Sequence, residues 1–229
     1  MRYASFLLLA LMPAVAPARV WTNVEGKKLT AEFVSATKTT VKLKATDGTE
    51  HDYPLKKLSA ACQGAVTIEK LRRLQADYQA AYQTRNAHVL KKACQAIERQ
   101  LKPISGSRLV INLGVREVTE DNVSFYTSWY APNTKVSAVA LYQHPADASP
   151  PAGRSGTVQL REVSSNQLYR WTKQCPTVPI GKGGMPPDRA ATLVRGQTCQ
   201  VECSIDYCTL GTCGRQCLIA LVLKDIKLK

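Results

Sequence analysis

The hydrophobic and polar positions of the chain follow three different patterns in succession. In residues 19–58 they alternate with a period of two in short runs, such as residues 31–35 and 41–44, and Asp47-Gly48 between two runs is a strong hairpin signal. Four or five strands within about 40 residues have too little area to bury a core as an open sheet. We therefore expect this segment to close into a small β-barrel. Its core would contain Trp21, Phe33, Val41, Leu43 and Leu55.

Residues 59–102 change to a helical period. This segment contains no proline and one glycine, and its apolar residues recur three or four positions apart from Ile68 to Tyr82 and again from Val89 to Leu101. Arg85 interrupts the apolar stripe, and Asn86 is a suitable N-cap. The pattern predicts a helical connector, broken or kinked near residues 84–86, that packs its apolar stripe on a neighbouring domain.

Residues 103–229 return to strand patterns, with two long loops at residues 143–156 and 175–190 that are rich in proline and glycine. Exposed loops of this kind are natural places for ligand contacts. Seven candidate strands with turns between them predict an antiparallel, sandwich-like β domain. The candidates are residues 109–115, 123–130, 136–142, 158–163, 168–172, 192–203 and 217–223. The expected fold class is therefore α+β and mainly β.

The first 18 residues have the features of a cleaved signal peptide. Arg2 precedes an apolar run at residues 4–12, and Ala16-Pro17-Ala18 is a small-x-small pattern that predicts cleavage after Ala18. The apolar run is shorter than the roughly 18–20 residues that cross a bilayer, and no longer run follows it. The absence of any cysteine before Cys62 leaves no thiol for lipid attachment after the cut. We expect a secreted or periplasmic protein with no membrane span in the mature chain.

The chain has eight cysteines, an even number that predicts disulfides in an exported protein. Zinc sites favour C-x2-C pairs, which are absent, so metal binding and a redox role are less favoured alternatives. Cys199 and Cys203 would share one face of a strand. Cys213 and Cys217 would share one face of the partner strand. Cys208 and Cys213 would close the loop between the two strands. The connectivity stays open. The disulfide candidates are Cys175, Cys199, Cys203, Cys208, Cys213 and Cys217.

The other two cysteines, Cys62 and Cys94, are uncertain candidates. In one straight helix they would be about 48 Å apart at ~1.5 Å per residue, far beyond bridging distance. They can pair with each other only if the connector folds back, and otherwise each has another partner.

Six short blocks within residues 19–59 form a spaced pattern. They are Arg19-Val20-Trp21-Thr22, Gly26 to Leu29, Ala31-Glu32-Phe33-Val34, Val41-x-Leu43, Asp47-Gly48 and Pro54-Leu55-x-x-Leu58-Ser59. Together they resemble the Sla homology domain type one, which is named for a yeast endocytic adaptor and also occurs in exported bacterial proteins. The rest of the chain resembles no family.

The resemblance implies a barrel of the Src-homology-three type that binds a protein or peptide. In the yeast adaptor the domain binds an Asn-Pro-Phe-x-Asp sorting signal, and the family carries the labels cytoskeletal-protein binding and ubiquitin binding. No peptide-contacting residue of the family is matched position by position. Trp21, Phe33 and Tyr53 are candidates to line a peptide groove, although Trp21 and Phe33 fit a barrel core better.

No catalytic motif is present, and no cofactor is expected. The three histidines, His51, His88 and His144, are each alone in their segments, and Gly181-Lys182-Gly183-Gly184 lacks the frame of a phosphate-binding loop. Carboxylate pairs such as Glu120-Asp121 suit glycoside hydrolysis only in a particular geometry.

The formal charge is +14, and +13 once Arg2 leaves with the signal peptide. The basic residues are spread along the chain without interleaved aromatic residues, which argues against nucleic acid as a partner. An even positive field still attracts polyanions.

We expect a non-enzymatic, exported binding or adaptor protein that binds a protein or peptide through its barrel. The alternatives are a binder of anionic glycans or envelope polymers and a carboxylate-dependent hydrolase.

Overall fold

The computed structural model describes residues 18–126, 140–143, 159–160, 176–213 and 216–229. These residues form an α+β fold that is mainly β, with a small sheet, a larger sheet and helices between and beside them. The small sheet contains β1 (Arg19–Thr22), β2 (Lys28–Ala36), β3 (Thr40–Ala45) and β4 (Glu50–Pro54), and a 3₁₀ helix (Leu55–Lys57) follows it. The helices are α1 (Ala60–Gln83), α2 (Ala87–Leu101) and α3 (Pro187–Ala191). The larger sheet contains β5 (Arg108–Val118), β6 (Asn122–Phe125), β7 (Ala140–Gln143), β8 (Gln159–Leu160), β9 (Thr177–Pro179), β10 (Thr198–Cys213) and β11 (Gln216–Leu228).

The small sheet is antiparallel in the order β1-β2-β3-β4. Asp47-Gly48 forms the turn between β3 and β4, as predicted, and Gly48 takes the φ of +87° that this turn needs. After the 3₁₀ helix the chain returns to β1, because Asn23 pairs with Leu58 and the Ser59 N–H donates to the Thr22 carbonyl at 2.9 Å. The predicted core is confirmed for four residues, while Leu55 is only partly buried. The four buried residues are Trp21, Phe33, Val41 and Leu43.

The predicted break in the helical segment is confirmed, and it separates two helices. Asn86 caps α2, and its Oδ1 accepts hydrogen bonds from the His88 and Val89 N–H groups at 3.0 and 3.2 Å. Arg85 has a φ of +53°, which ends α1 and reverses the chain. The helix α2 therefore folds back along α1 to form an αα-hairpin.

The larger sheet has the order β7-β11-β10-β5-β6-β9, and β8 pairs with the second half of β10. Most neighbours are antiparallel, but β7 with β11 and β8 with β10 are parallel. The described strands of residues 103–229 thus form one sheet, and α1 rather than a second sheet covers one of its faces. The expected sandwich is therefore not seen among these strands and stays a prediction. The predicted strand at residues 168–172 lies outside the described residues.

The long hairpin of β10 and β11 differs most from the prediction. Residues 204–213 continue the strand to the hairpin turn, where a loop between Cys208 and Cys213 was expected. On β11 the residues from Cys217 to Leu223 are all buried, so this strand is covered on both faces. A strand covered on both faces has a continuous apolar run without alternation.

Helix α1 contributes side chains to both hydrophobic cores. Its first turns supply Cys62, Ala65 and Val66 to the core of the small sheet, and its later turns supply residues of the larger core. Within the first of these sets lies Gly64, where an added Cβ would stand 1.8 Å from the carbonyl oxygen of Val110. The helix backbone therefore rests directly on β5 at this point.

Two glutamine side chains of α1 accept hydrogen bonds from the edge of β11 next to the β10–β11 turn. The Ile219 N–H donates to Gln75 Oε1 at 3.0 Å, and the Cys217 N–H donates to Gln79 Oε1. Strand β7 pairs only with residues 220–223 of β11. The helix side chains therefore accept the hydrogen bonds that a neighbouring strand would otherwise accept.

The signal peptide predicted for residues 1–18 falls almost entirely outside the described residues. Within the described part of the chain, α1, α2 and α3 all lack the combination of length and hydrophobicity that a membrane-spanning helix needs.

Replacing Gly64 by alanine should destabilise the protein by roughly 2 kcal/mol or more, because overpacking against the Val110 carbonyl outweighs the better helix propensity of alanine. Urea unfolding measures the change. The control is Ala76→Gly on the exposed face of α1, which should cost about 1 kcal/mol through propensity alone. A stabilising Gly64→Ala exchange would mean that α1 does not touch β5.

Gln75→Leu should cost about 1–3 kcal/mol in the free energy of unfolding, because it leaves the buried Ile219 N–H without its acceptor at nearly constant side-chain volume. The matched control is Gln83→Leu at the exposed end of α1, where we expect a change below about 0.5 kcal/mol. Equal effects of the two variants would contradict a role for Gln75 as the partner of β11.

Candidate functional site

The predicted groove residues of the small sheet do not form an open groove. Trp21 is 1% exposed and Phe33 3% exposed, their ring centroids are 6.4 Å apart, and the Trp21 Nε1–H donates to the Ala31 carbonyl at 2.9 Å. Tyr53 is partly buried against the same core. Both rings therefore face the core of the small sheet, and the prediction that Trp21 and Phe33 line a peptide groove stays a prediction.

Four cations gather where β1 and β2 meet α1, and we call this cluster the basic junction. Arg19 lies over the Trp21 ring, with 4.9 Å from its Cζ to the ring centroid. Arg73 lies over the Phe33 ring at 4.8 Å and donates from Nη2 to the Phe33 carbonyl at 3.0 Å. The other members are Lys70 and Arg72 on α1.

The positions of these cations follow from two regular elements. Arg19 alternates with the exposed Val20 on β1 and so points to the same side as Trp21. Lys70 and Arg73 lie three positions apart on the helix, and Lys70 Nζ donates to the Thr37 carbonyl at 3.0 Å at the end of β2. The junction therefore forms wherever α1 packs against β2.

The junction contains one partner carboxylate. Arg72 Nη1 donates to Glu69 Oε1 at 2.7 Å, with both side chains largely buried. Burial lowers the pKa of Arg72 most, Glu69 opposes this shift, and the nearby Arg19 lowers the pKa further. Burial also lowers the pKa of Lys70. The arginines therefore lie close enough to repel each other.

The Nε of Arg19 is a buried donor with no hydrogen-bond partner. Buried donors are almost always paired, so this one needs an acceptor. Four cations against Glu69 leave the junction with an excess positive charge. A carboxylate, sulfate or phosphate of a ligand satisfies both requirements, because a guanidinium binds such groups with two parallel hydrogen bonds.

A surface cleft of about 380 Å³ lies beside the beginning of β1. Its charged lining residues are Glu32, Lys44 and Asp47, and the other lining residues are Ala18, Ala45, Thr46 and Gly48. Hydrogen bonds from Thr49 lower the pKa of Asp47, so this carboxylate stays ionised. Two carboxylates and one lysine make this cleft unsuitable for an anion.

Six cysteines have described side chains, and all six are free thiols. The predicted disulfides among Cys199, Cys203, Cys208 and Cys217 are thus not confirmed. Cys175 lies outside the described residues, and for Cys213 only the backbone is described. The described part of the chain has no group of histidine, cysteine and carboxylate residues that suits a metal ion.

The strand register also corrects the predicted cysteine geometry. Cys199 and Cys203 share the buried face of β10, as expected, but Cys213 ends β10 and Cys217 belongs to β11, so they are not on one strand. Burial raises the pKa of Cys203 and that of Cys208 to about 12. These two thiols therefore stay protonated at neutral pH and are poor nucleophiles.

The uncertain pair Cys62 and Cys94 belongs to two different cores. The connector does fold back, but Cys62 lies in the small-sheet core, where its Sγ accepts from the Thr22 N–H at 3.1 Å. Cys94 packs against the larger core. The fold-back brings Cys94 level with residue 76 of α1, about 20 Å along the axis from Cys62 at ~1.5 Å per residue, so the two cannot bridge.

The remaining sequence candidates do not meet in one site. His51 is exposed on β4, His88 is exposed at the start of α2, and His144 lies outside the described residues. Glu120 and Asp121 are exposed in the turn between β5 and β6. In the Gly181–Gly184 turn, three consecutive residues have positive φ, and the turn is closed by its own backbone hydrogen bonds.

The basic junction was missed at the level of the sequence. Lys70, Arg72 and Arg73 have the spacing of an ordinary solvated helix face, and Arg19 precedes Arg72 by 53 positions. The only local signal is an arginine two positions before a buried tryptophan, which is too common to indicate a site.

Glu69→Gln should destabilise the protein by about 2–3 kcal/mol, because it leaves the largely buried Arg72 charge facing Arg19 without a carboxylate. Adding Arg72→Met should restore much of the loss. The matched control is Glu25→Gln, which removes an exposed ion pair with Lys27 and should change stability by less than about 0.5 kcal/mol. Urea unfolding distinguishes the variants, and a neutral Glu69→Gln exchange would contradict the pairing.

Comparison of the chain with family models, curated proteins and solved structures gave no match. The resemblance of residues 19–59 to the Sla homology domain therefore stays a prediction.

Proposed function

We propose that this protein is an exported, non-enzymatic binding protein that takes a protein or peptide ligand through its small sheet, with an acidic group of the ligand on the basic junction. The observation that carries the proposal is the Arg19 guanidinium, whose buried Nε lacks an acceptor and whose neighbour Arg72 is a second cation. A ligand carboxylate would supply the acceptor and reduce the repulsion between the two arginines.

The backbone pairing supports the idea that the small sheet is a closed barrel of the Src-homology-three type. Four short strands, a 3₁₀ helix and a final segment that pairs back to β1 through Asn23 and Leu58 are the parts that such a barrel needs. Closure leaves the ligand no access to Trp21 and Phe33. Binding would therefore use the rim of the barrel, where Arg19 and Arg73 lie over these rings.

The electrostatic setting favours an anion at this rim. A hydrogen bond to a charged group contributes about 1.5–3 kcal/mol, more than a neutral one. Salt weakens the interaction between exposed charges with a screening length of about 8–10 Å, and it weakens the interaction of partly buried charges much less. The attraction between an anion and the partly buried cations of the junction is therefore larger than that of exposed charges. Arg73 is exposed and hence accessible to a ligand.

A second candidate function is binding of anionic glycans or envelope polymers. The observation that favours it is a set of exposed lysines around the small sheet, whose charges add to the overall excess. These lysines are Lys27, Lys28, Lys38, Lys44, Lys56 and Lys57. Contacts of this kind are screened by salt and have little preference for one ligand.

The test is affinity capture with the mature chain, residues 19–229, from envelope extract at about 0.15 M and about 1 M salt, together with retention on a heparin column as a defined polyanion. The Debye length falls from roughly 8 Å to 3 Å between these conditions. We expect a discrete protein partner that survives high salt and that Arg19→Gln with Arg73→Gln reduces at least tenfold.

The control variant is Lys91→Gln with Lys92→Gln, which removes the same charge from an exposed face of α2. It should bind the partner like the unchanged protein. If both double variants lose binding equally, or if heparin retention alone is seen and disappears at 1 M salt, the function belongs to the general basic surface and not to the junction.

A further inference from the structure

Cys217 lies at the start of β11, where the strand contacts α1. Its side chain is 1% exposed and belongs to the larger hydrophobic core. The N–H groups of Cys217 and Ile219 donate to the side chains of Gln79 and Gln75. The beginning of β11 is therefore held against the stretch of α1 between these two glutamines.

Cys94 lies on α2, beside the same stretch of α1. Because α2 folds back along α1 from the turn at residues 84–86, Cys94 comes level with residue 76, which lies between Gln75 and Gln79 in the chain. Cys94 is half-buried and packs against the core that contains Cys217. The fold thus places at one hydrophobic core two thiols that are 123 positions apart in the sequence.

The electrostatics of the two thiols agree with this placement. Burial raises the pKa of Cys217 to about 11, and the Cys94 sulfur raises it as well. Burial and then Glu98 raise the pKa of Cys94. The influence of one sulfur on the other agrees with their position at the same core. Few thiolates exist at neutral pH, so oxidation should be slow without a disulfide reagent and faster at higher pH.

We propose that Cys94 and Cys217 form a disulfide that fastens α2 to the beginning of β11 in an oxidising compartment. The thiolate of Cys94, the more exposed of the two, attacks a sulfur of a small-molecule disulfide and releases one of its thiols. Cys217 then loses its proton to solvent and attacks the Cys94 sulfur, which releases the second thiol. Two electrons and two protons leave the protein, and the oxidant ends as two thiols.

This bridge goes beyond the proposed function, since it involves neither the small sheet nor the basic junction. It also differs from the bridges expected among the C-terminal cysteines, because it joins a helix to the sheet. A failure of the ligand-capture experiment would leave the bridge unaffected, and the absence of the bridge would leave the ligand site unaffected.

The test is peptide mapping of residues 19–229 after equilibration with glutathione disulfide and alkylation of the remaining thiols in denaturant. Trypsin places Cys94 in peptide 93–99 and Cys217 in peptide 216–224, and each peptide contains a single cysteine. We expect these two peptides to appear linked, and to separate on reduction. The internal control is peptide 58–70, in which Cys62 should remain alkylated as a free thiol.

Alkylation of both peptides, or linkage of either one to another cysteine peptide, would overturn the proposal.

A second measurement compares melting temperatures. Cys94→Ser should lower Tm by about 5–10 °C in oxidant and by less than about 2 °C in reductant, where the unchanged protein also lacks the bridge. An equal loss under both conditions would show that Cys94 contributes through packing alone.

Discussion

The contact of α1 with the backbone of β5 is the constraint on which the rest of the molecule depends. At Gly64 the helix approaches the Val110 carbonyl so closely that no side chain fits. This approach lets the first turns of α1 reach the core of the small sheet while its later turns cover the larger one. Neither sheet would bury its apolar face in the same way without this helix, so the two sheets share their stability through it.

Two polar residues lie in the otherwise apolar face of α1. Gln75 is 2% exposed and Glu69 7% exposed, positions that a packing argument alone would fill with leucine. Gln75 completes the hydrogen bonds of β11, and Glu69 balances the charge of Arg72. Each is fully paired where it is buried, which is the condition under which a buried polar group is tolerated.

The sequence predicts those parts of the fold that depend on local chemistry. The turn at Asp47-Gly48 and the helix break before Asn86 are specified by residues within four positions of each other, and both are confirmed. The β10–β11 hairpin was misjudged because its cysteines suggested bridged loops, whereas residues 204–213 continue the strand. The basic junction and the position of Cys94 and Cys217 at one core depend on how helices pack on sheets, which periodicity does not specify.

The binding free energy that the basic junction can contribute limits the kind of ligand that it can bind. A single carboxylate on Arg19 contributes about 1.5–3 kcal/mol, whereas micromolar affinity needs about 8 kcal/mol. The remainder has to come from apolar surface near the junction. Val20, the residue after Arg19 on β1, and Val24, just after the end of β1, are apolar side chains that are 51% and 67% exposed. A ligand with an acidic group beside an aliphatic or aromatic one therefore fits this rim better than a uniformly charged polymer does.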